Sequence, residues 1–177
     1  MQTGPGWKLA VPSLLTAVRL LALPGVILLS LRGLRLEAIG LYALILLSDV
    51  VDGWAARRLG SETRFGAFFD VLADMVVILG LLSMLGARGT IPAWLPAAPA
   101  GVALVFLVTS WRSVPRYDRI GKHYGTALYV LVGVLLWGVG LSASAVISIS
   151  IVGLSAAVLV SRWMEARHLT RLRQDRS

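Results

Sequence analysis

The stretch that decides the reading is Asp49-Val-Val-Asp52-Gly53-Trp-Ala-Ala56-Arg57, continued by Gly66-Ala-Phe-Phe-Asp70-Val-Leu-Ala-Asp74. It places four carboxylates within twenty-six residues of a chain that holds nine acidic residues in all. Both halves sit inside long apolar runs. A carboxylate at membrane depth is costly unless it is paired or metal-bound. Four such groups so close together point to a shared ligand, and a divalent metal is the simplest one.

Composition sets the class. The 177 residues are 57% hydrophobic, and only 15% are charged, against about a quarter in soluble domains. Mean hydropathy is +0.80. These values predict an integral membrane protein with one helical domain. There is no cysteine, which excludes disulfides, thiolate metal sites and thiol nucleophiles. The net charge of +8 fits anionic lipid headgroups and positively charged cytoplasmic loops. Nothing resembles a basic groove interleaved with exposed aromatics, so no nucleic-acid partner is expected.

Outward from the acidic stretch, hydropathy predicts six spans. They cover about Val11 to Leu31, Glu37 to Ala56, Phe65 to Leu85, Pro96 to Ser110, Tyr124 to Gly140 and Val146 to Trp163. Spans of roughly this length suit a hydrocarbon core about 30 Å thick. Trp7 and Lys8 read as interface anchors, and no cleaved leader is expected, because Arg19 interrupts the first apolar run. Arg32-Gly-Leu-Arg35, Gly86 to Pro92 and Ser142-Ala-Ser read as turns, and Trp111 to His123 as a basic loop. The connections after spans two and four carry Arg57, Arg58, Arg64, Arg112, Arg116, Arg119 and Lys122, and the tail adds five more arginines. The odd-numbered connections carry only Arg32, Arg35 and Arg88. That asymmetry places both termini in the cytoplasm, which needs an even number of spans. The expectation is therefore an all-α bundle of six transmembrane helices in the cell (cytoplasmic, or inner) membrane.

Helical spacing then organises the acids. Asp49, Asp52, Gly53 and Ala56 share one face of the second span, and Gly66, Asp70 and Asp74 share one face of the third. A short cytoplasmic connection makes these helices antiparallel neighbours whose acidic faces meet near the boundary. Asp52 lies about 7 to 8 Å along the axis from Arg57. Oxygen donors without His or Cys favour hard cations, Mg2+ or Mn2+ with Ca2+ as a further option. Two ions bridged by shared carboxylates would suit a diphosphate substrate. Gly53 and Gly66 leave bare helix surface for a base or a sugar. Arg57, at the helix end, has the geometry to pair a phosphate bidentately. Thr16 and Arg19 lie three apart on one face of the first span, with Arg19 either snorkelling to the surface or facing a ligand.

The spacing Asp49-x2-Asp52-Gly53-x2-Ala56-Arg57-x8-Gly66-x3-Asp70-x3-Asp74 resembles, at every fixed position, the signature of the CDP-alcohol phosphatidyltransferase family. Further similarity extends to Pro12-x3-Thr16-x2-Arg19 and, loosely, to Gly121-Lys122. The resemblance implies a single such transmembrane domain over residues 1–177. It implies attack by an alcohol hydroxyl on a CDP-linked lipid, usually CDP-diacylglycerol, with CMP leaving. By resemblance, Asp49, Asp52, Asp70 and Asp74 hold two metal ions, and Asp74 also acts as general base. Gly53, Ala56, Arg57 and Gly66, with Thr16 and Arg19, line the CDP-lipid site. The best acceptor is glycerol 3-phosphate, with inositol phosphate or another alcohol as the alternative. A homodimer is implied as well.

Arg112, Arg116, Arg119 and Lys122 crowd one loop and are candidates for binding a phosphorylated acceptor, against the simpler reading of topology and lipid contact. Two other classes compete with the enzyme. A divalent-cation transporter predicts acids spread along the membrane normal on several spans, whereas these cluster on two. A membrane prenyltransferase also uses aspartate pairs with Mg2+, but without the Asp-Gly-x2-Ala-Arg step.

Overall fold

In the computed structural model the backbone is described for residues 7–59, 64–112 and 119–174, and the side chains for residues 18–48, 71–108 and 123–164. The described residues form six α-helices and no strand: α1 (Trp7–Leu31), α2 (Arg35–Leu59), α3 (Arg64–Ala87), α4 (Ala97–Arg112), α5 (Arg119–Trp137) and α6 (Leu141–Gln174). Helix α1 packs on both α2 and α3, and α5 packs on the same two helices and on α6. Helix α4 closes the bundle against α3 and α6.

The core is aliphatic, built from Val26, Val77, Ile78, Leu81, Leu82, Leu128, Val132, Leu135 and Ile151. The outer surface is apolar too, with Leu21, Leu44, Leu104, Val130, Ile149 and Leu141 exposed. Among the described residues a few polar groups lie inside, among them Arg19, Ser144, Ser148 and Ser155. This is the reverse of a water-soluble domain, where large exposed apolar surface is rare. The stretch Leu141–Met164 is long and apolar enough to cross a membrane by length and composition, and shorter apolar stretches occupy α1, α3, α4 and α5.

Local chemistry explains the interior serines. Ser148 Oγ donates to the Ser144 carbonyl and Ser155 Oγ to the Ile151 carbonyl, both at 2.8 Å. A hydroxyl without water returns to the carbonyl one turn back. Small residues on that face of α6 also allow close helix approach. Tyr124 of α5 adds a cross-link, its hydroxyl 2.8 Å from Ser155 Oγ.

The C-termini of α1, α3 and α5 meet at one end of the bundle. Gly33 and Gly89 take positive φ, 77° and 71°. This lets Leu34 N–H reach the Leu29 carbonyl and Thr90 N–H reach the Leu85 carbonyl, a Schellman closure in each case. Helix C-termini carry partial negative charge. Two cations answer it: Arg88 donates to the Ser30 carbonyl at the end of α1, and Arg35 lies against the Gly138 backbone after α5. Both arginines line a cavity of about 140 Å³ with Ser30, Thr90, Leu135 and Gly138.

The helices depart from the hydropathy spans at their ends. Ser142-Ala-Ser is the first turn of α6, not a turn between helices; the break falls at residues 138–140, where Gly138 has φ 87°. Helix α5 starts at Arg119, inside the expected basic loop, and α6 runs on through the basic tail to Gln174. Helix α2 likewise continues through Arg57 and Arg58 to Leu59. Arg and Lys are good helix formers, so these helices outlast their apolar segments. Hydropathy marks only the apolar part.

Candidate active site

The motif residues fall on three helices. Asp49, Asp52, Gly53, Ala56 and Arg57 ride on α2, Gly66, Asp70 and Asp74 on α3, and Thr16 and Arg19 on α1. Helicity is continuous through both acidic segments, so the i, i+3 and i, i+4 spacings hold in register. The side chains of Asp49, Asp52, Gly53, Ala56, Arg57, Gly66, Asp70 and Thr16 lie outside the described residues, so the expected meeting of the two acidic faces does too. Of the acceptor candidates, Arg112 ends α4, and Arg119 and Lys122 fall in the first turn of α5. Arg116 and the side chains of the other three lie outside the described residues.

Arg19 and Asp74 are the motif side chains the structure describes, and they meet. The Arg19 guanidinium pairs with Asp74 Oδ1. Its side chain is 1% exposed, that of Asp74 28%. Arg19 therefore faces the bundle interior and does not snorkel. A buried guanidinium needs an anion beside it, and Asp74 supplies one from the neighbouring helix.

A third helix reaches the same carboxylate. The Tyr129 hydroxyl of α5 donates to Asp74 Oδ1 at 2.8 Å. Tyr129 is in turn held from α2, where the Tyr42 hydroxyl donates to the Tyr129 carbonyl at 2.6 Å. The two rings lie 6.3 Å apart, tilted by 38°. Side chains of α1 and α5 thus meet on one carboxylate of α3, and α2 braces α5 through the Tyr129 carbonyl. Below it, Val77, Ile78, Leu81 and Leu82 fill the core.

Sequence reasoning missed Tyr42 and Tyr129. The signal was present: a tyrosine inside an apolar helix needs a partner for its hydroxyl, and Tyr42 and Tyr129 both sit inside apolar spans. Register alone did not say which helix supplies the partner.

The donor set fits a hard divalent cation. All four aspartates offer oxygen, and Asp74, the one described, stays partly open to its surroundings. Among the described residues no group of three His, Asp or Glu side chains assembles; the side chains of Asp49, Asp52 and Asp70 lie outside that set.

Comparison with known proteins supplies the family. The family model described as CDP-alcohol phosphatidyltransferase matches residues 9–164. The chain is 32% identical over 146 residues to a protein of Cereibacter sphaeroides named CDP-diacylglycerol--glycerol-3-phosphate 3-phosphatidyltransferase; the match covers 75% of this chain and 65% of that one. It is 29% identical over 182 residues to a protein of the same name from Shigella flexneri serotype 5b, covering 93% of this chain and 96% of that one. For the Escherichia coli K12 protein of that name the figures are 31% over 141 residues, 72% and 76%. The match begins before Thr16 and Arg19 and runs through all four aspartates to Tyr129 and beyond, so every residue of the site lies within it. The chain belongs to the CDP-alcohol phosphatidyltransferase family.

Proposed function

We propose that the chain transfers a phosphatidyl group from CDP-diacylglycerol to glycerol 3-phosphate, with release of CMP. The observation that carries the reading is the complete aspartate signature on continuous helices, with Asp74 held in place by side chains of two other helices. The acceptor follows the names of the relatives; inositol phosphate is the alternative within the same chemistry.

Two Mg2+ or Mn2+ ions held by Asp49, Asp52, Asp70 and Asp74 would neutralise charge on the diphosphate. The chain's own residues do the rest. Gly53, Ala56 and Gly66 offer low helix surfaces for the cytidine and its ribose, and Arg57 pairs a phosphate oxygen. Asp74 accepts the proton of the acceptor hydroxyl as that oxygen bonds to the lipid phosphorus. The bond from phosphorus to the bridging oxygen breaks, and CMP departs with the electron pair. Displacement at phosphorus needs positioning, charge neutralisation and one base. Arg19 holds Asp74 and, with Thr16, sits on the α1 side of the lipid site. Arg112, Arg116, Arg119 and Lys122 bind the acceptor phosphate.

The same reading makes residues 1–177 one transmembrane domain of six spans in the cytoplasmic membrane, with both termini and the site on the cytoplasmic face. The charge asymmetry of the connections and the apolar outer surface support it. A homodimer rests on family resemblance.

An acceptor panel tests the proposal. Purified protein in detergent receives radiolabelled CDP-diacylglycerol, Mg2+ or Mn2+, and one of glycerol 3-phosphate, inositol phosphate, inositol, serine or phosphatidylglycerol. CMP release and a labelled lipid product with glycerol 3-phosphate support it. Product with another acceptor alone moves the assignment within the family. Ion flux without CMP release points to a transporter.

A further inference from the structure

We propose that Tyr129 is a positioning residue for Asp74, a role that rests on the proposed phosphatidyl transfer. An aspartate's last torsion is broad and roughly two-fold, so a single contact leaves either oxygen able to face the reacting hydroxyl. Here two donors converge on one atom. Arg19 from α1 and the Tyr129 hydroxyl from α5 both bond Oδ1. Two donors arriving from different helices set the rotation of the carboxylate, and with it the direction of Oδ2.

Tyr129 is itself braced. Its ring is buried at 7% exposure, and Tyr42, at 3%, lies beside it. The Tyr42 hydroxyl bonds the Tyr129 carbonyl and so fixes the α5 backbone at the residue that matters. Gly133, one turn further along, makes room for this: a Cβ there would stand 3.2 Å from Tyr42 Cε1. The Tyr42 hydroxyl is satisfied by a carbonyl of the neighbouring helix, and that of Tyr124 by a serine. Tyr129 instead reaches the one described carboxylate of the signature.

The test compares wild type, Tyr129→Phe and Tyr42→Phe, purified in detergent. CMP release is measured against CDP-diacylglycerol and against glycerol 3-phosphate, and thermal unfolding alongside. A hydrogen bond to a charged group carries enough energy for a rate effect of roughly 10- to 100-fold. The expectation for Tyr129→Phe is a kcat loss of that order, with both KM values within about twofold, Tm lower by a few °C and the protein fully folded at the assay temperature. Tyr42→Phe keeps the Tyr129 hydroxyl and loses only the brace, so its kcat falls by a few-fold at most. A Tyr129→Phe kcat within about twofold of wild type overturns the positioning role while leaving the proposed reaction intact. A kcat loss matched by an equal loss of folded protein overturns it too, because the bond is then only structural. Absence of CMP release by wild type overturns the reaction and this role together.

Discussion

Breaking the Arg19–Asp74 pair has a consequence whose size follows from burial. Arg19→Met removes the charge and roughly keeps the volume at a side chain that is 1% exposed. It leaves the Asp74 carboxylate without its guanidinium. Removing one partner of a fully buried pair costs about 3–5 kcal/mol. Asp74 is 28% exposed, so solvent or headgroup screening lowers that figure, and about 2–3 kcal/mol is the expectation. Stability of a domain this size is about 5–15 kcal/mol. At roughly 2–4 °C per kcal/mol the loss amounts to about 4–12 °C in Tm. The assay is thermal unfolding in detergent micelles. The double variant Arg19→Met/Asp74→Asn carries the sharper test. It removes the stranded charge and keeps an acceptor for the Tyr129 hydroxyl, so it recovers most of the loss. If the double variant is no more stable than Arg19→Met, the loss comes from packing at Arg19 and the electrostatic account is wrong.

Other expectations can be checked by the same methods. Arg88→Ala removes a cation from the C-terminal end of α1 and lowers stability by about 1 kcal/mol, read as Tm, with CMP release unchanged; an unchanged Tm removes the capping role. Tyr124→Phe deletes the hydroxyl that meets Ser155 while Ser155 still bonds the Ile151 carbonyl. Its cost is about 1 kcal/mol, and a loss several times larger would mean the bond does more than join α5 to α6. Arg116→Ala and Lys122→Ala raise KM for glycerol 3-phosphate more than KM for CDP-diacylglycerol; equal effects return those residues to setting topology.

The described helices and the residues of the signature were legible in the sequence because each rests on a local signal. Apolar runs mark the helix interiors, and the aspartate spacings follow from 3.6 residues per turn. Helix ends were less legible. Arg119 to His123 and the basic tail are helical because Arg and Lys favour helix whether or not lipid surrounds them, while Ser142 to Ser144 begin a helix that glycines at 138 and 140 precede. The direction of Arg19 was open from spacing alone, since a long side chain in a span reaches either a surface or a partner. Its partner lies fifty-five residues away, and only packing of α1 on α3 brings them together. Tyr129 and Tyr42 escaped for the same reason: their contacts join helices that are distant in sequence.

The role of Asp74 as proton acceptor is decided by turnover of the Asp74→Asn variant. CMP release is measured with CDP-diacylglycerol, glycerol 3-phosphate and Mg2+ or Mn2+, together with binding of the CDP-lipid to the same protein. Turnover falls to near background while CDP-lipid binding stays measurable, because the proton acceptor is gone and the rest of the site remains. Wild-type turnover in that variant would contradict it.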